Sequence, residues 1–426
     1  MMYAIINGKI LDGTQDMLPQ SGLAILIHDE KIKDIVSDDG DFSDYQIIDL
    51  KGQYIMPGFI NMHVHLPASG KPKKKQTDLN RLVKIVTSCS LLRMITRKMC
   101  EGYAKTELLS GVTTLRTVGG IMDYDTQIRD RILNHKMIGP RIIAGNMAIS
   151  VEGGHMAGSL AYIAKSPREA SHYVEKIAKD QPDLIKLMIT GGVLDAKVKG
   201  EPGELKMPAD YVFAACDKAH RLGLKVAAHV ESPEGVRVAL ENGVDTIEHG
   251  AKPDEHIIKL FKERGACLIT TLSPAIPYAL FDREISHATE MEQYNGQIVF
   301  DGIVDCAKAC LANDIPVGLG TDTGCPFITH YDMWREVYYF HKYCGVSTAF
   351  ALHTATQVNA MIAGLADVTG TIAPGKAADL IVCQKNPLED LQVLRDLEMV
   401  IVRGQIIGHP QVKKMNDIEV QLDQFL

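Results

Sequence analysis

The chain has little that would mark it for a membrane, a nucleic acid or an oxidising compartment. No apolar stretch among its 426 residues reaches the roughly 20 residues that a membrane span needs. Its opening, Met1 to Ile10, is apolar but has neither the basic flank nor the small-residue cleavage site of a secretory leader. The nine cysteines contain no Cys-x-x-Cys pair, which argues against a clipped zinc site. Cys306 and Cys310, four apart, read as two buried thiols on one helix. Free thiols and no leader give the expectation of a reducing cytoplasm. A strong charge bias is missing too. A net charge of -8 does not suit a nucleic-acid partner. The one basic run, Lys71-Pro72-Lys73-Lys74-Lys75, reads as a solvated loop. What remains is 46% hydrophobic, with a mean hydropathy of -0.01. That is an ordinary globular composition, long enough for one large domain and a smaller one.

Both ends of the chain are rich in strands and turns. Gly22 to Ile27 and Lys31 to Val36 flank His28-Asp29-Glu30 as a hairpin, and Ile47 to Met56 is a further strand region. Near the other end, Leu380 to Val382 is an apolar strand, and Met399 to Ile407 reads as strand, glycine turn, strand. Residues 1–57 and 366–426 are therefore expected to close on one another as a discontinuous β-sandwich domain. Between them, 58–365 alternates short apolar runs with helical patterns, the texture of a parallel sheet. Eight runs centre near Ile60, Thr114, Ile143, Ile185, Val226, Thr246, Ile269 and Gly318. Helices are predicted over 166–180, 208–222, 233–242 and 254–264. The expected fold is α/β, a (β/α)8 barrel with chemistry at the C-terminal ends of its strands. The segment from Leu66 to Lys105 is long for a βα link and reads as a lid or a subunit contact.

Polar residues fall where that barrel would use them. His63 and His65 alternate on the first strand, and residues i and i+2 of a strand share a face. Lys186 is a lone charge inside the apolar fourth strand. His229 and His249 end the fifth and sixth strands, and Asp322 ends the eighth. Any one of these suits a structural role, such as a hydrogen-bonded histidine or a capping aspartate. Six on one rim, in strand order, point to a metal centre.

The order His-x-His, Lys, His, His, Asp resembles the amidohydrolase superfamily. So do the phrases Pro57-Gly58-Phe59-Ile60-Asn61-Met62-His63-Val64-His65 and Pro374-Gly375-Lys376-Ala377-Ala378-Asp379-Leu380. Within it, Ile185 to Val193 and Thr246 to Gly250 are similar to the prolidase-like and imidazolonepropionase-related group. The resemblance implies two divalent ions, zinc, manganese or iron, and a carbamate on Lys186. His63, His65 and Asp322 would hold one ion, His229 and His249 the other, and Lys186 both. It implies hydrolysis of a C–N bond by a hydroxide bridging the ions, with Asp322 moving the proton. The substrate would be a small molecule, either a dipeptide of Xaa-Pro or Xaa-basic type or an N-acyl amino acid, and the assembly a homo-oligomer. Opening of a cyclic amide or imidazolone ring, or deamination, with one ion is the alternative. A non-catalytic scaffold is a remote one.

Three further residues bear on substrate. His155 follows Gly153-Gly154 just past the third strand, where related peptidases have a substrate-contacting histidine. Arg116, at the end of the second strand, either clamps a substrate carboxylate or pairs with an acidic neighbour. Relatives usually have Asp after that arginine and Tyr two places beyond the fifth-strand histidine. Here these are Thr117 and Glu231. Glu231 either meets a substrate cation or hydrogen-bonds Ser232.

Overall fold

The computed structural model describes residues 2–72 and 78–426. Lys73, Lys74 and Lys75 of the basic run lie outside the described residues. All eight predicted barrel strands are present. They are Phe59–Val64, Val112–Thr117, Arg141–Ile143, Leu184–Met188, Lys225–Val230, Thr246–His249, Cys267–Thr270 and Val317–Leu319. From the fourth to the eighth each strand pairs in parallel with the next. The first three form their own parallel run. The ring closes where Val64 bridges Thr323 and the Asp322 amide donates to the His63 carbonyl at 2.9 Å.

The third strand departs from expectation. After Arg141–Ile143 the chain breaks at Asn146, which adopts φ +56°, and resumes as Ala148–Val151. The first piece pairs with the second barrel strand and the resumed piece with the fourth. An additional strand, Ala161–Ala164, flanks the resumed piece. The left-handed turn at Asn146 bends the chain out of the ladder, so one β-rich stretch serves two neighbours.

Local sequence explains the helices. Ser166 accepts from the Glu169 amide at the start of Pro167–Ala178, with proline at the first turn. Ala209–Arg221, Pro233–Glu241 and Glu255–Arg264 fill the other predicted spans. After the first strand the chain forms two helices, Leu79–Val86 and Ser90–Leu109. No residue of the first is buried, and Ile85, Leu91 and Ile95 are exposed. Cys306 and Cys310 are buried on Glu290–Leu311 as expected, and the cysteines are free.

The two ends of the chain build two small sheets. Strands Leu23–His28 and Lys31–Ser37 form the predicted hairpin, in one sheet with Met2–Ile6 and Gln46–Asp49. The other sheet joins Leu380–Cys383 and Met399–Val402 from late in the chain to Tyr54–Pro57 from early in it. The region read as one strand from Ile47 to Met56 is thus two strands, one per sheet, turning at Lys51-Gly52 with positive φ. Tyr3, Ile25, Ile27, Ile55, Leu380 and Ile401 fill the space between the sheets.

Candidate metal centre

The barrel rim gathers the polar residues that the strand ends carry. Strand eight reads Val317-Gly318-Leu319-Gly320-Thr321-Asp322, and its glycines have a steric cause. A Cβ on Gly320 would lie 2.5 Å from the His63 Cβ, so only glycine lets strand one bring its histidine this close. His249 and Asp322 both adopt left-handed backbone, with φ +67° and +53°. Non-glycine residues rarely hold that conformation, and it clusters at functional sites. Here it occurs at the residues where the sixth and eighth strands turn onto the rim.

Distances define the cluster. Asp322 Oδ1 is 3.2 Å from His65 Nε2 and 3.5 Å from His63 Nε2. His63, His249 and Asp322 bring one ligand-type atom each within 4.8 Å of one another, as do His229, Glu231 and His249. The His229 and His249 rings are 4.6 Å apart between centroids. His249 belongs to both groups, so the sets overlap rather than divide.

Each histidine is held from behind. His63 Nδ1 meets Glu248 Oε2 at 2.8 Å, His65 Nδ1 the Gly119 carbonyl at 2.8 Å, and His249 Nδ1 the Thr271 hydroxyl at 2.6 Å. His229 is held through the other nitrogen, Nε2 lying 3.4 Å from the Gly191 carbonyl. Such outer contacts fix ring orientation and leave one nitrogen free for the centre.

Burial tunes the charges. It pushes His63 down to about 4, helped by Lys186 and opposed by Asp322 and Glu248. Burial also holds His229 and His249 well below the usual range. These imidazoles are neutral, the form that binds metals. Burial pushes Asp322 the other way, but His63 and His65 beside it keep its carboxyl well below the usual carboxylate range. Lys186 is wholly buried, and its Nζ has no hydrogen-bond partner. Burial lowers it to about 8, with Glu248 opposing and Arg116 assisting.

Arg116 has the second of the two roles weighed for it. Its Nη2 donates to both Glu248 oxygens at 2.7 Å, its Nη1 to the Thr246 hydroxyl at 3.0 Å, and its Nε to the Met62 carbonyl at 2.7 Å. A guanidinium so engaged within the barrel is no free clamp for a substrate carboxylate. Burial alone would raise Glu248; Arg116, then His63, outweigh it and hold the carboxyl far below its ordinary value. Glu248 was missed in the sequence, although a charge inside the apolar run Thr246 to His249 is the signal that singled out Lys186.

His155 joins the cluster. Its ring stacks on His229 at 4.2 Å and 7°, and its Nδ1 lies 2.6 Å from Asp195 Oδ2. Asp195 is itself fixed by the Gly192 amide at 2.9 Å. It is 40 residues from His155, which left no local signal for the pair. Glu231 does not bond Ser232 as one alternative had it. Ser232 accepts from the Gly235 amide and caps the next helix, while Glu231 Oε2 is shielded without a partner. Burial, Asp322 and Asp195 push Glu231 up to about 8 against a hydrogen bond from the Val193 backbone.

Comparison with known proteins agrees with this geometry. A family model described as the amidohydrolase family matches residues 54–407. A Bifidobacterium longum crystal structure provisionally termed a prolidase superposes with a TM-score of 0.87 at 33% identity, covering 99% of this chain and 98% of that one. A Xaa-Pro dipeptidase crystallised with methionine in its active site gives 0.83 at 28% identity, covering 96% and 100%. Ochratoxinase of Aspergillus niger is 24% identical over 319 residues, 69% of this chain. That match spans 64% of the length of ochratoxinase, under two thirds of it. Among the described residues no helix is long and apolar enough to cross a membrane. The chain belongs to the amidohydrolase family.

Proposed function

We propose that the chain is a metal-dependent hydrolase of C–N amide bonds, acting on a dipeptide or an N-acyl amino acid. The observation that carries this reading is the wholly buried Lys186 amine, partnerless, among four histidines and an aspartate. A buried amine with no partner is costly unless something occupies the space before it. The donor set of imidazoles and carboxylate suits two divalent ions, with zinc the natural candidate. In this reading His63, His65 and Asp322 hold one ion and His229 and His249 the other.

Lys186 joins the two. Lowered to about 8, its amine is in part neutral at physiological pH. The nitrogen attacks the carbon of carbon dioxide and gives up one proton to water, and the resulting carbamate spreads a single negative charge over two oxygens. When bound, such ions bring the pKa of a coordinated water to about 7 and polarise a carbonyl oxygen. Asp322 takes the proton from the attacking water and hands it to the departing amine nitrogen. His155, braced by Asp195, leaves Nε2 free to orient the substrate. Two glutamates have separate places: Glu248 holds His63 from behind, and Glu231 faces the cluster.

Of the two dipeptide classes, Xaa-Pro is supported by the prolidase-like neighbours at 33% and 28% identity. A second reading, ring opening with a single ion, is favoured by 23% identity to the imidazolonepropionase of Picrophilus torridus over 389 residues. The lysine of the fourth strand argues against it, and a metal-to-protein ratio near one would favour it.

The test is direct. The zinc-loaded protein is expected to release free amino acid from members of a dipeptide and N-acyl amino acid library. Asp322→Asn is expected to keep its fold and lose about 10²–10⁴ in kcat. Failure of the metal-loaded protein to hydrolyse any amide contradicts the proposal. Near-normal turnover of the variant removes the aspartate from proton transfer.

A further inference from the structure

We infer that Glu231 is a metal ligand that, with His229, His249 and Lys186, gives the second ion four protein donors. This deepens the two-metal reading above and rests on it. A carboxylate oxygen of Glu231, a nitrogen of His229 and a nitrogen of His249 lie within 4.8 Å of one another. Donors about 2.1 Å from a shared zinc ion stand at most roughly 4.2 Å apart, so a small inward movement closes the shell.

The charge surroundings point the same way. Glu231 Oε2 is shielded from solvent and has no hydrogen-bond partner. Asp322 and Asp195, both acidic, act on Glu231. A buried carboxylate with acidic neighbours calls for a cation. The two side chains that share its site are the His229 and His249 imidazoles. An ion held between those imidazoles supplies one.

The backbone of Glu231 is clamped for such a task. Its amide donates to the Thr190 hydroxyl at 3.0 Å. On the other side, Gly203 adopts φ +71°, and a Cβ there would lie 2.4 Å from the Glu231 carbonyl oxygen. The stretch around Gly203 therefore packs directly on the Glu231–Ser232 peptide. A site held from both sides has little freedom to lose on binding an ion. The substrate-cation role weighed for Glu231 gives way to this one, because its oxygen converges on histidine nitrogens.

The experiment measures metal rather than turnover. Chelator-stripped protein is titrated with Zn²⁺ against a competing chromophoric chelator, and with Co²⁺ followed by visible absorption. Wild type is expected to bind two ions. Glu231→Gln and Glu231→Ala are expected to weaken one of them about 100-fold and leave the other within about twofold. The Co²⁺ spectrum of the affected site should change shape. If a variant fails to fold, Glu231→Asp, one methylene shorter, is expected to weaken the same single site. Two ions bound by the folded variants with wild-type affinities and spectra overturn the ligand role and leave the two-metal reading standing. Selective loss of cationic dipeptides in that case would mark Glu231 as a substrate contact instead. Wild type that binds no ion overturns both.

Discussion

Arg116 and Glu248 form a buried pair whose outer end touches the candidate metal centre through His63. The side chains are almost wholly shielded from water. Removing one member of such a pair leaves an uncompensated charge in the barrel, at a cost of about 3–5 kcal/mol. Arg116→Met is therefore expected to lower unfolding free energy by that amount, read from denaturant curves of the metal-free protein. An arginine that clamped a substrate carboxylate would behave otherwise: stability would hold and only KM would rise. The histidine anchors differ in kind from this pair. Glu248 brings a full charge to His63, whereas Gly119 and Thr271 offer neutral oxygens to His65 and His249.

Among the elements, the helix Met333–Cys344 supports the rim from outside. Its Glu336 is buried and accepts hydrogen bonds from the Leu272 and Ser273 amides at 2.8 Å, and from the Ser273 hydroxyl. It thereby holds the turn that leaves the seventh strand, one residue from Thr271, the anchor of His249. Burial pushes Glu336 up from 4.5 to about 7 against those bonds. An acid whose pKa is raised on folding keeps its proton longer in the folded state. Between those two values the folded protein binds more protons than the unfolded chain, so stability falls as pH rises through that window. The stability of wild type relative to Glu336→Gln is expected to fall by up to about 3 kcal/mol from pH 4.5 to 7. Paired denaturant titrations at the two ends measure it; parallel curves would show that Glu336 does not titrate there. Asn359 ties another joint. It donates to the Ile60 and Leu319 carbonyls and accepts from the Leu319 amide, stitching strand one to strand eight. Gly318 is bare because a Cβ there would lie 2.6 Å from the Asn359 oxygen.

At the scale of the whole molecule, the barrel was legible because its strands are short apolar runs ending in polar residues. His63, His65, Lys186, His229, His249 and Asp322 stood out through strand order, and the structure brings them to one rim. What stayed hidden was long-range. Asp195 behind His155, and Thr271 behind His249, lie 40 and 22 residues from their partners, and no local pattern links them. Arg116 showed in the sequence as a charge at a strand end, but the direction of its guanidinium depends on Glu248, 132 residues away. The split third strand was hidden for another reason. Asn146 is an unremarkable asparagine until its backbone turns left-handed. The two-sheet division of Ile47 to Met56 follows from the Lys51-Gly52 turn, which the apolar pattern on either side obscured.

The proposed function rests on a pair of ions joined by a modified lysine at the mouth of the barrel. It is tested most directly by diffraction from crystals grown with zinc and bicarbonate, with data collected on both sides of the zinc absorption edge. The account predicts two anomalous peaks, one beside His63, His65 and Asp322 and one beside His229 and His249. It also predicts planar three-atom density continuing from Lys186 Nζ between them. A bare Lys186 amine with no anomalous scatterer among these side chains would contradict it.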